Sequence, residues 1–330
     1  MGDSGKKRLT AAVVGLGNIG FRYDLDSGPG RIFSHAKAYR EHPGFELVGG
    51  VDIDEKKRAD FERHTGVKAY PSFDALMKSG GRAADCVSIC TPTRLHLSSL
   101  KEVHPSRAAL ILMEKPLAYS LDEAREMLNL SQNNYKIAVN YIRRWDPGII
   151  GAKKTIDGGS LGPPASAQCW YSKGLFNYAS HAIDLFHYFF GPERETLFIR
   201  DKGIGAEDPH LDFLLRFESF DACFQASSDE FLRLLEIDML FERGRVKILD
   251  NGWKIQLFRA RGSGDRNNGR VLEEEDLPAG QDMDRYQYNV MDGIYRSLLD
   301  GAPLASDGQS AFGTLETCVR IKEQSIRGKA

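Results

Sequence analysis

The sequence predicts an α/β domain with a doubly wound parallel sheet, followed by an α+β domain with a mostly antiparallel open sheet. Three observations carry this expectation. Over roughly the first 140 residues, apolar strand-like runs alternate with helical patterns, the rhythm of βαβ units. A glycine-rich turn comes directly after the first apolar run. Beyond Trp145-Asp146-Pro147-Gly148 the rhythm gives way to strands separated by turn signals. At 330 residues the chain exceeds the usual size of one core. On this reading it divides into residues 1–142 and 143–330, with the closing helices able to pack back on the first part.

The elements run in order along the chain. Leu9 to Val14 is the first strand, Phe45 to Val51 the second and Lys68 to Tyr70 a short third. Cys86 to Cys90, Ala108 to Met113 and Lys136 to Tyr141 complete the parallel set. Ser120 to Asn134 reads as a helix, because Ser120 with Glu123 three residues on makes a capping box. A further helix covers Ile149 to Ile156 and stops at Gly158-Gly159. From Leu197 to about Arg259 strands recur: His210 to Phe217, Cys223 to Ser227, Glu236 to Phe241, Val246 to Leu249 and Ile255 to Phe258. Arg243-Gly244 and Asn251-Gly252 mark hairpin turns. Arg261 to Arg270 is a polar, glycine-rich loop. Helices near Asp282 to Leu299 and Gln309 to Ile326 close the chain.

Composition narrows the function classes. Charged residues make up 27%, apolar residues 42%, and the net charge is −2 with both signs interspersed. Neither nucleic acid nor a membrane surface is favoured as a partner. Met1 to Thr10 is polar and lacks an apolar leader, and no later apolar run reaches membrane-spanning length. Gly2 suggests myristoylation, but Lys6 stands where that pattern needs Ser or Thr. Cys86, Cys90, Cys169, Cys223 and Cys318 include no C-x-x-C pair, and an odd count argues against a disulfide framework. Cys86 and Cys90 read as small core residues. A cytoplasmic protein without a metal centre is expected.

Gly15-Leu16-Gly17-Asn18-Ile19-Gly20 fits G-x-G-x-x-G and directly follows the first strand. Gly15 permits a tight turn, Gly17 lets the backbone approach a pyrophosphate, and Gly20 lets helix and strand pack closely. Asn18 and Ile19 lie between them, where a helix amino terminus offers N–H groups to phosphates. This is the fingerprint of an α/β Rossmann domain. Asp52, ending the second strand, is the expected ribose-binding acid. It lies 32 residues past Gly20 (52 − 20), against roughly 20 in the usual pattern, because a loop-like insert spans Asp24 to Arg31. A carboxylate there repels a 2′-phosphate, so NAD is favoured. Lys56, Lys57 and Arg58 leave NADP open, and Asp52 could instead cap the helix beginning Asp54-Glu55-Lys56.

Glu114-Lys115-Pro116 follows the fifth strand. A lysine at the carboxyl end of a parallel strand sits where open α/β sheets bind ligands. The proline ends the strand and restricts Lys115 to extended backbone angles. Farther on, Asn177 and His181 are four apart and His181 and Asp184 three apart, so on a helix they share one face. Ile183, Leu185, Phe186, Tyr188 and Phe189 anchor that helix in a core. His187 and His210 read as structural.

The order Gly15-x-Gly17-x-x-Gly20, Thr91-Pro92-Thr93-x-x-His96, Glu114-Lys115-Pro116 and His181-x-x-Asp184 with Gly191 beyond resembles the glucose–fructose oxidoreductase, inositol dehydrogenase and MocA family. The likeness runs over essentially the whole chain. It implies hydride transfer between NAD(P) and a sugar, polyol or sugar-derived carbonyl, and assembly as a homodimer or homotetramer through the open sheet. It further implies that Lys115 hydrogen-bonds the reacting hydroxyl and that His181 is the general base, as an imidazole titrating near working pH can be. Thr91-Pro92 would form the turn beneath the nicotinamide, with His96, Glu114 and Lys115 nearby; Asp184 would orient His181 or brace its helix. Many family dehydrogenases carry aspartate where this chain has Asn177. An amide can orient substrate but cannot accept its proton, which places more weight on His181 and Lys115.

Arg143-Arg144-Trp145 leaves the sixth strand near the expected cleft. Arginine forks bind carboxylate or phosphate and tryptophan stacks on sugars, so an anionic sugar acid or nucleotide sugar suits them; the alternative is a basic surface turn beside an interdomain tryptophan. Tyr171 and Lys173 could line the same cleft. Two other functions compete with a dehydrogenase: an NAD-binding sensor without turnover, and a glycosidase that recycles tightly held NAD.

Overall fold

A computed structural model describes residues 7–80, 83–106, 108–205, 207–230, 232–262 and 269–328. The chain forms two compact units: Met1–Trp145 with Asp284–Phe312, and Asp146–Met283 with Gly313–Ala330.

In the first unit, β1 (Leu9–Val14), α1 (His35–Glu41), β2 (Phe45–Val51), α2 (Glu55–Thr65), β3 (Ala69–Tyr70) and α3 (Phe73–Lys78) lead to β4 (Cys86–Ile89). Then come α4 (His96–Val103), β5 (Leu110–Met113), α5 (Leu121–Ser131) and β6 (Lys136–Val139). The six strands lie in the order β3-β2-β1-β4-β5-β6, every pair parallel. Chain order reverses between β1 and β4, and ligands bind outside the strand ends at such a switch point. β1, β4 and β5 are buried throughout, as strands covered on both faces must be. The Ser120 hydroxyl accepts from Glu123 N at 3.2 Å, giving α5 its expected cap.

The second unit opens with α6 (Pro147–Asp157), capped by Asp146, whose carboxylate accepts from Gly148 N and Ile149 N with proline in the first turn. Then come β7 (Pro164–Tyr171), α7 (Ser180–Phe190), β8 (Glu195–Asp201), β9 (Leu211–Arg216) and β10 (Asp221–Ala226). β11 (Leu235–Phe241), β12 (Gly244–Leu249), β13 (Lys254–Gly262) and β14 (Arg270–Glu275) complete an eight-stranded sheet. Its order is β14-β13-β12-β11-β7-β10-β9-β8, antiparallel except between β7 and β10. One face is buried, with Phe186 of α7 against Phe224 of β10 at 5.5 Å between ring centroids.

Of the closing helices, α8 (Tyr286–Leu299) belongs to the first unit and α9 (Gly308–Arg327) begins there and continues in the second. Gly293 of α8 lies against Trp145, where a Cβ would come within 2.3 Å of the indole ring.

Several elements differ from the sequence reading. β7 sits centrally in its sheet, where no strand was expected. The predicted loop Arg261 to Arg270 is narrower: Arg261 and Gly262 extend β13 and Arg270 opens β14, while 263–268 fall outside the described residues. So do 1–6 at the polar start. The helix expected near Asp282 opens with a 3-10 turn at Met283–Arg285 and becomes α-helical at Tyr286. The helix expected from Asn177 is not uniform, because Leu175–Ala179 winds as a π turn before α7.

Candidate functional site: a dinucleotide cavity and two polar centres

The glycine turn works as its spacing suggests. Gly15 has φ +94°, and a Cβ there would lie 2.7 Å from the Cys90 carbonyl carbon. At Gly20 a Cβ would fall 2.0 Å from Gly15 O, whereas the space above Gly17 is open for 4 Å. Two glycines therefore permit close packing and one leaves bare backbone facing outward. A cavity of about 720 Å³ lies here, within the size range of ligand pockets. Gly15, Gly17, Asn18, Ile19, Asp52, Thr91 and Pro92 line it.

Asp52 is not the helix cap; Asp54 is, accepting from Lys56 N and Lys57 N. Asp52 Oδ2 instead accepts from Leu16 N at 2.8 Å, and Lys57 Nζ stands 3.8 Å away. The carboxylate is thereby fixed to the glycine turn at the cavity wall. Cavity, exposed backbone and fixed carboxylate fit a dinucleotide.

Two residues expected at the cofactor lie behind the cavity wall. His96 is wholly buried, with Nδ1 3.0 Å from Leu117 O and Nε2 3.0 Å from Thr91 O. It ties the turn at Thr91 to the chain after Pro116, and burial pushes its pKa below the ordinary value. Glu114 accepts from His35 Nε2 at 2.9 Å and from Asn140 Nδ2 at 2.6 Å. Its other oxygen accepts from Lys115 N at 3.3 Å. Burial pushes this carboxyl up, but the bonds from His35 and Asn140 prevail and hold it below the usual carboxylate range. Ser88 and Tyr39 extend the network, with His35 Nδ1 and the Tyr39 hydroxyl each 2.9 Å from Ser88 Oγ. Glu114 is thus a buried anion immediately before Lys115, whose peptide bond to Pro116 is cis.

In the second unit, His181 and Asp184 are buried on α7 and Thr314 Oγ1 donates to Asp184 at 3.4 Å. Asn177 is exposed in the π turn. That turn is held by Asp208, which accepts from Phe176 N at 2.7 Å and Asn177 N at 2.9 Å. Lys173 has φ +57°, an uncommon conformation for a side-chain-bearing residue. With Asn177, Asp208, His210 and Asp229 it lines an open depression of about 590 Å³. His187 meets Glu193 at 2.6 Å, and His210 Nε2 accepts from Gly174 N, so both have structural partners.

The remaining substrate candidates are placed differently from expectation. Tyr171 is wholly buried, and its hydroxyl donates to Leu211 O at 2.6 Å and accepts from Leu211 N at 3.0 Å. Trp145 packs in the core of the first unit rather than presenting a stacking face. Arg143 and Arg144 are only 7% and 5% exposed, so the segment is not a basic surface turn. Sequence reasoning missed other cavity residues, among them Tyr23, Ile53, Arg94 and Leu95. Tyr23 and Arg94 adjoin recognised motifs, but no spacing rule singled them out.

Residues 9–141 match the model of the oxidoreductase family with an NAD-binding Rossmann fold, the GFO_IDH_MocA family. This part of the chain belongs to that family. Inositol 2-dehydrogenase of Rubrobacter xylanophilus is 26% identical over 214 residues, covering 60% of this chain and 56% of the relative. The chain therefore spans a little over half the length of that relative. In fold, the chain is similar over its whole length to the WlbA dehydrogenase from Bordetella pertussis, solved with NADH and UDP-GlcNAcA. The TM-score is 0.77 at 17% identity, covering 99% and 98% of the two chains. Levoglucosan dehydrogenase, solved with NADH and levoglucosan, gives 0.80 at 16% identity, covering 97% and 98%.

Proposed function

We propose that the whole chain is an NAD-dependent dehydrogenase of a sugar, cyclitol or nucleotide-sugar hydroxyl, working as a cytoplasmic homo-oligomer. The observation that carries this reading is the cavity at the switch point, with glycine backbone on one wall and a fixed Asp52 on another. Relatives and fold neighbours that act on or bind inositol, levoglucosan and a nucleotide sugar support the substrate class. Residues 1–142 hold the cofactor on this reading, and 143–330 supply substrate contacts and subunit contacts. Among the described residues no helix is long and apolar enough to cross a membrane.

Bound NAD supplies the hydride acceptor. Lys115 hydrogen-bonds the reacting hydroxyl oxygen and offsets its developing negative charge. His181 takes the hydroxyl proton, and Asp184 and Asn177 orient base and substrate. Asp52 favours NAD over NADP, because a 2′-phosphate would meet a carboxylate already committed to the glycine turn. Lys173, beside Asn177, is a substrate contact.

The test is NADH formation by the purified protein across inositols, free sugars, uronic acids and nucleotide sugars. Turnover with one class is expected, lowered about 10²–10³-fold in kcat by Lys115→Met while NADH still binds. Undiminished turnover in Lys115→Met would remove the proposed role. NAD binding without turnover on any class would favour the sensor.

A further inference from the structure

The corner of the cavity where β2 ends carries both signs of charge. Both carboxylate oxygens of Asp52 are bonded to backbone. Oδ2 accepts from Leu16 N at 2.8 Å, and Oδ1 accepts from Asp54 N at 2.9 Å. The first bond fixes the side chain to the glycine turn and the second to the start of α2. Each oxygen keeps a further lone-pair direction, to which a ribose hydroxyl can donate. Lys57 Nζ stands 3.8 Å from Oδ2 and lines the same cavity.

The cations on either side of Lys57 are placed otherwise. Arg58 closes the turn itself, its Nη1 donating to Asp52 O at 2.8 Å and to Ile53 O at 2.9 Å. Lys56 is exposed and lies off the cavity wall. Arg94 also lines the cavity, but it follows β4, two strands from β2 in the sheet order. Lys57 is therefore the cation of the Asp52 corner.

Stability does not account for a lysine there. Lys57 belongs to the first turn of α2, where the helix dipole favours carboxylates over ammonium groups. Its side chain is 38% exposed, and an ion pair so open to water contributes little to folding. A local rule broken without structural gain is what a binding function leaves in a sequence. The ammonium offsets the charge of Asp52, so an incoming anion meets a compensated pair instead of a bare carboxylate. NAD and NADP differ only by a phosphate on the 2′-oxygen of the adenosine ribose, the sugar that Asp52 would bind. Lysine carries its donors on a long flexible stem and can reach a phosphate held beside Asp52.

We propose that Lys57 is a specificity-determining residue for the cofactor. It takes the 2′-phosphate, so that NADP is admitted beside NAD and the preference set by Asp52 is narrow. The inference rests on a dinucleotide occupying this cavity.

The full-length protein is titrated with NADH and NADPH by fluorescence, as wild type, Lys57→Gln and Lys57→Arg. Calorimetry with 5′-AMP and 2′,5′-ADP isolates the adenosine end. Wild type is expected to bind NADPH within about tenfold of NADH. Lys57→Gln is expected to weaken NADPH and 2′,5′-ADP about tenfold, the size of one charge-assisted contact, and to leave NADH and AMP within about twofold. Lys57→Arg, which keeps the charge, is expected to retain most of the NADPH affinity. Unchanged NADPH affinity in Lys57→Gln overturns the proposal. So does equal weakening of NADH and NADPH, which would mark a general role in the cavity. Wild-type protein that binds NADH but not NADPH also overturns it and leaves the cavity assignment standing. Wild-type protein that binds neither would refute the cavity assignment itself, a separate outcome.

Discussion

A carboxylate is taken out of water at Glu114 and kept charged by hydrogen bonds, and that gives the protein an acid-sensitive point. Its pKa lies below the ordinary 4.5 in the folded state, because the bonds from His35 and Asn140 outweigh burial. The unfolded chain therefore binds more protons than the folded one just below pH 4.5. The contribution to stability is full above that pH and is lost as pH falls through the folded pKa. Glu114→Gln is expected to flatten the loss of stability below pH 4.5 in denaturant titrations. An unchanged slope would place the acid sensitivity elsewhere. At Gly20, alanine would force a Cβ to within 2.0 Å of Gly15 O. Gly20→Ala is expected to cost about 1–3 kcal/mol and to abolish NADH binding. The glycine requirement was legible in the sequence because it is a local steric fact repeated at fixed spacing. The destinations of Tyr171 and Trp145 were not, since an aromatic ring serves a core or a ligand equally well. Leu211 and Gly293, their distant partners, decide the matter.

At the scale of elements, the turn before α7 shows how a backbone irregularity arises and what it does. Asn177 and His181 are four apart, which on an α-helix would align them. The π turn at Leu175–Ala179 instead leaves Asn177 exposed and His181 buried. Asp208 stabilises the irregular turn by accepting two of its N–H groups, as an N-cap does for a regular helix. Single-turn π segments recur at functional sites, and this one ends two residues before the proposed base. Asp208→Ala is expected to lower stability by about 1–2 kcal/mol in thermal or denaturant unfolding. It should also reduce kcat more than it weakens NADH binding, because it loosens the His181 helix and not the dinucleotide cavity. Equal losses in both would remove the specific link. The strands teach a related lesson. β5, Leu-Ile-Leu-Met, was readable as a buried parallel strand. β7 begins with proline and is rich in Ala and Ser, so its intrinsic preference is weak. It becomes central only through pairing with β10 on one side and β11 on the other, information no local window contains. β14, Arg-Val-Leu-Glu-Glu-Glu, is an edge strand whose charges disguise it and also protect it from pairing.

At the scale of the molecule, the eight-stranded sheet is asymmetric. Cys169, Ile237, Met239, Val246, Ile248 and Phe224 face inward and are buried. Trp170 of β7 and Leu240 of β11, on the other face, are 38% and 41% exposed, and the register places Trp170 opposite Glu236 and Leu240 opposite Arg245. Half-buried Leu214 and Phe258 share that face. Arg245 and Asp238 form an ion pair on it, so the surface mixes apolar centres with charges already neutralised locally. A broad face of this composition suits contact with a second copy across a two-fold axis, where each patch meets its own image. A stable contact needs about 800 Å² from each partner, which a sheet of this breadth can supply. The proposed homo-oligomer therefore makes a specific demand on two residues. A Trp170→Glu, Leu240→Asp protein should run as a monomer by light scattering, while wild type runs as a dimer or tetramer. NADH affinity in the monomer should be unchanged, since every residue lining the dinucleotide cavity lies in the first unit. A wild-type monomer would refute the assembly. An intact oligomer after both substitutions would move the interface off the open face, because two added carboxylates at its centre would each have to be buried without a partner.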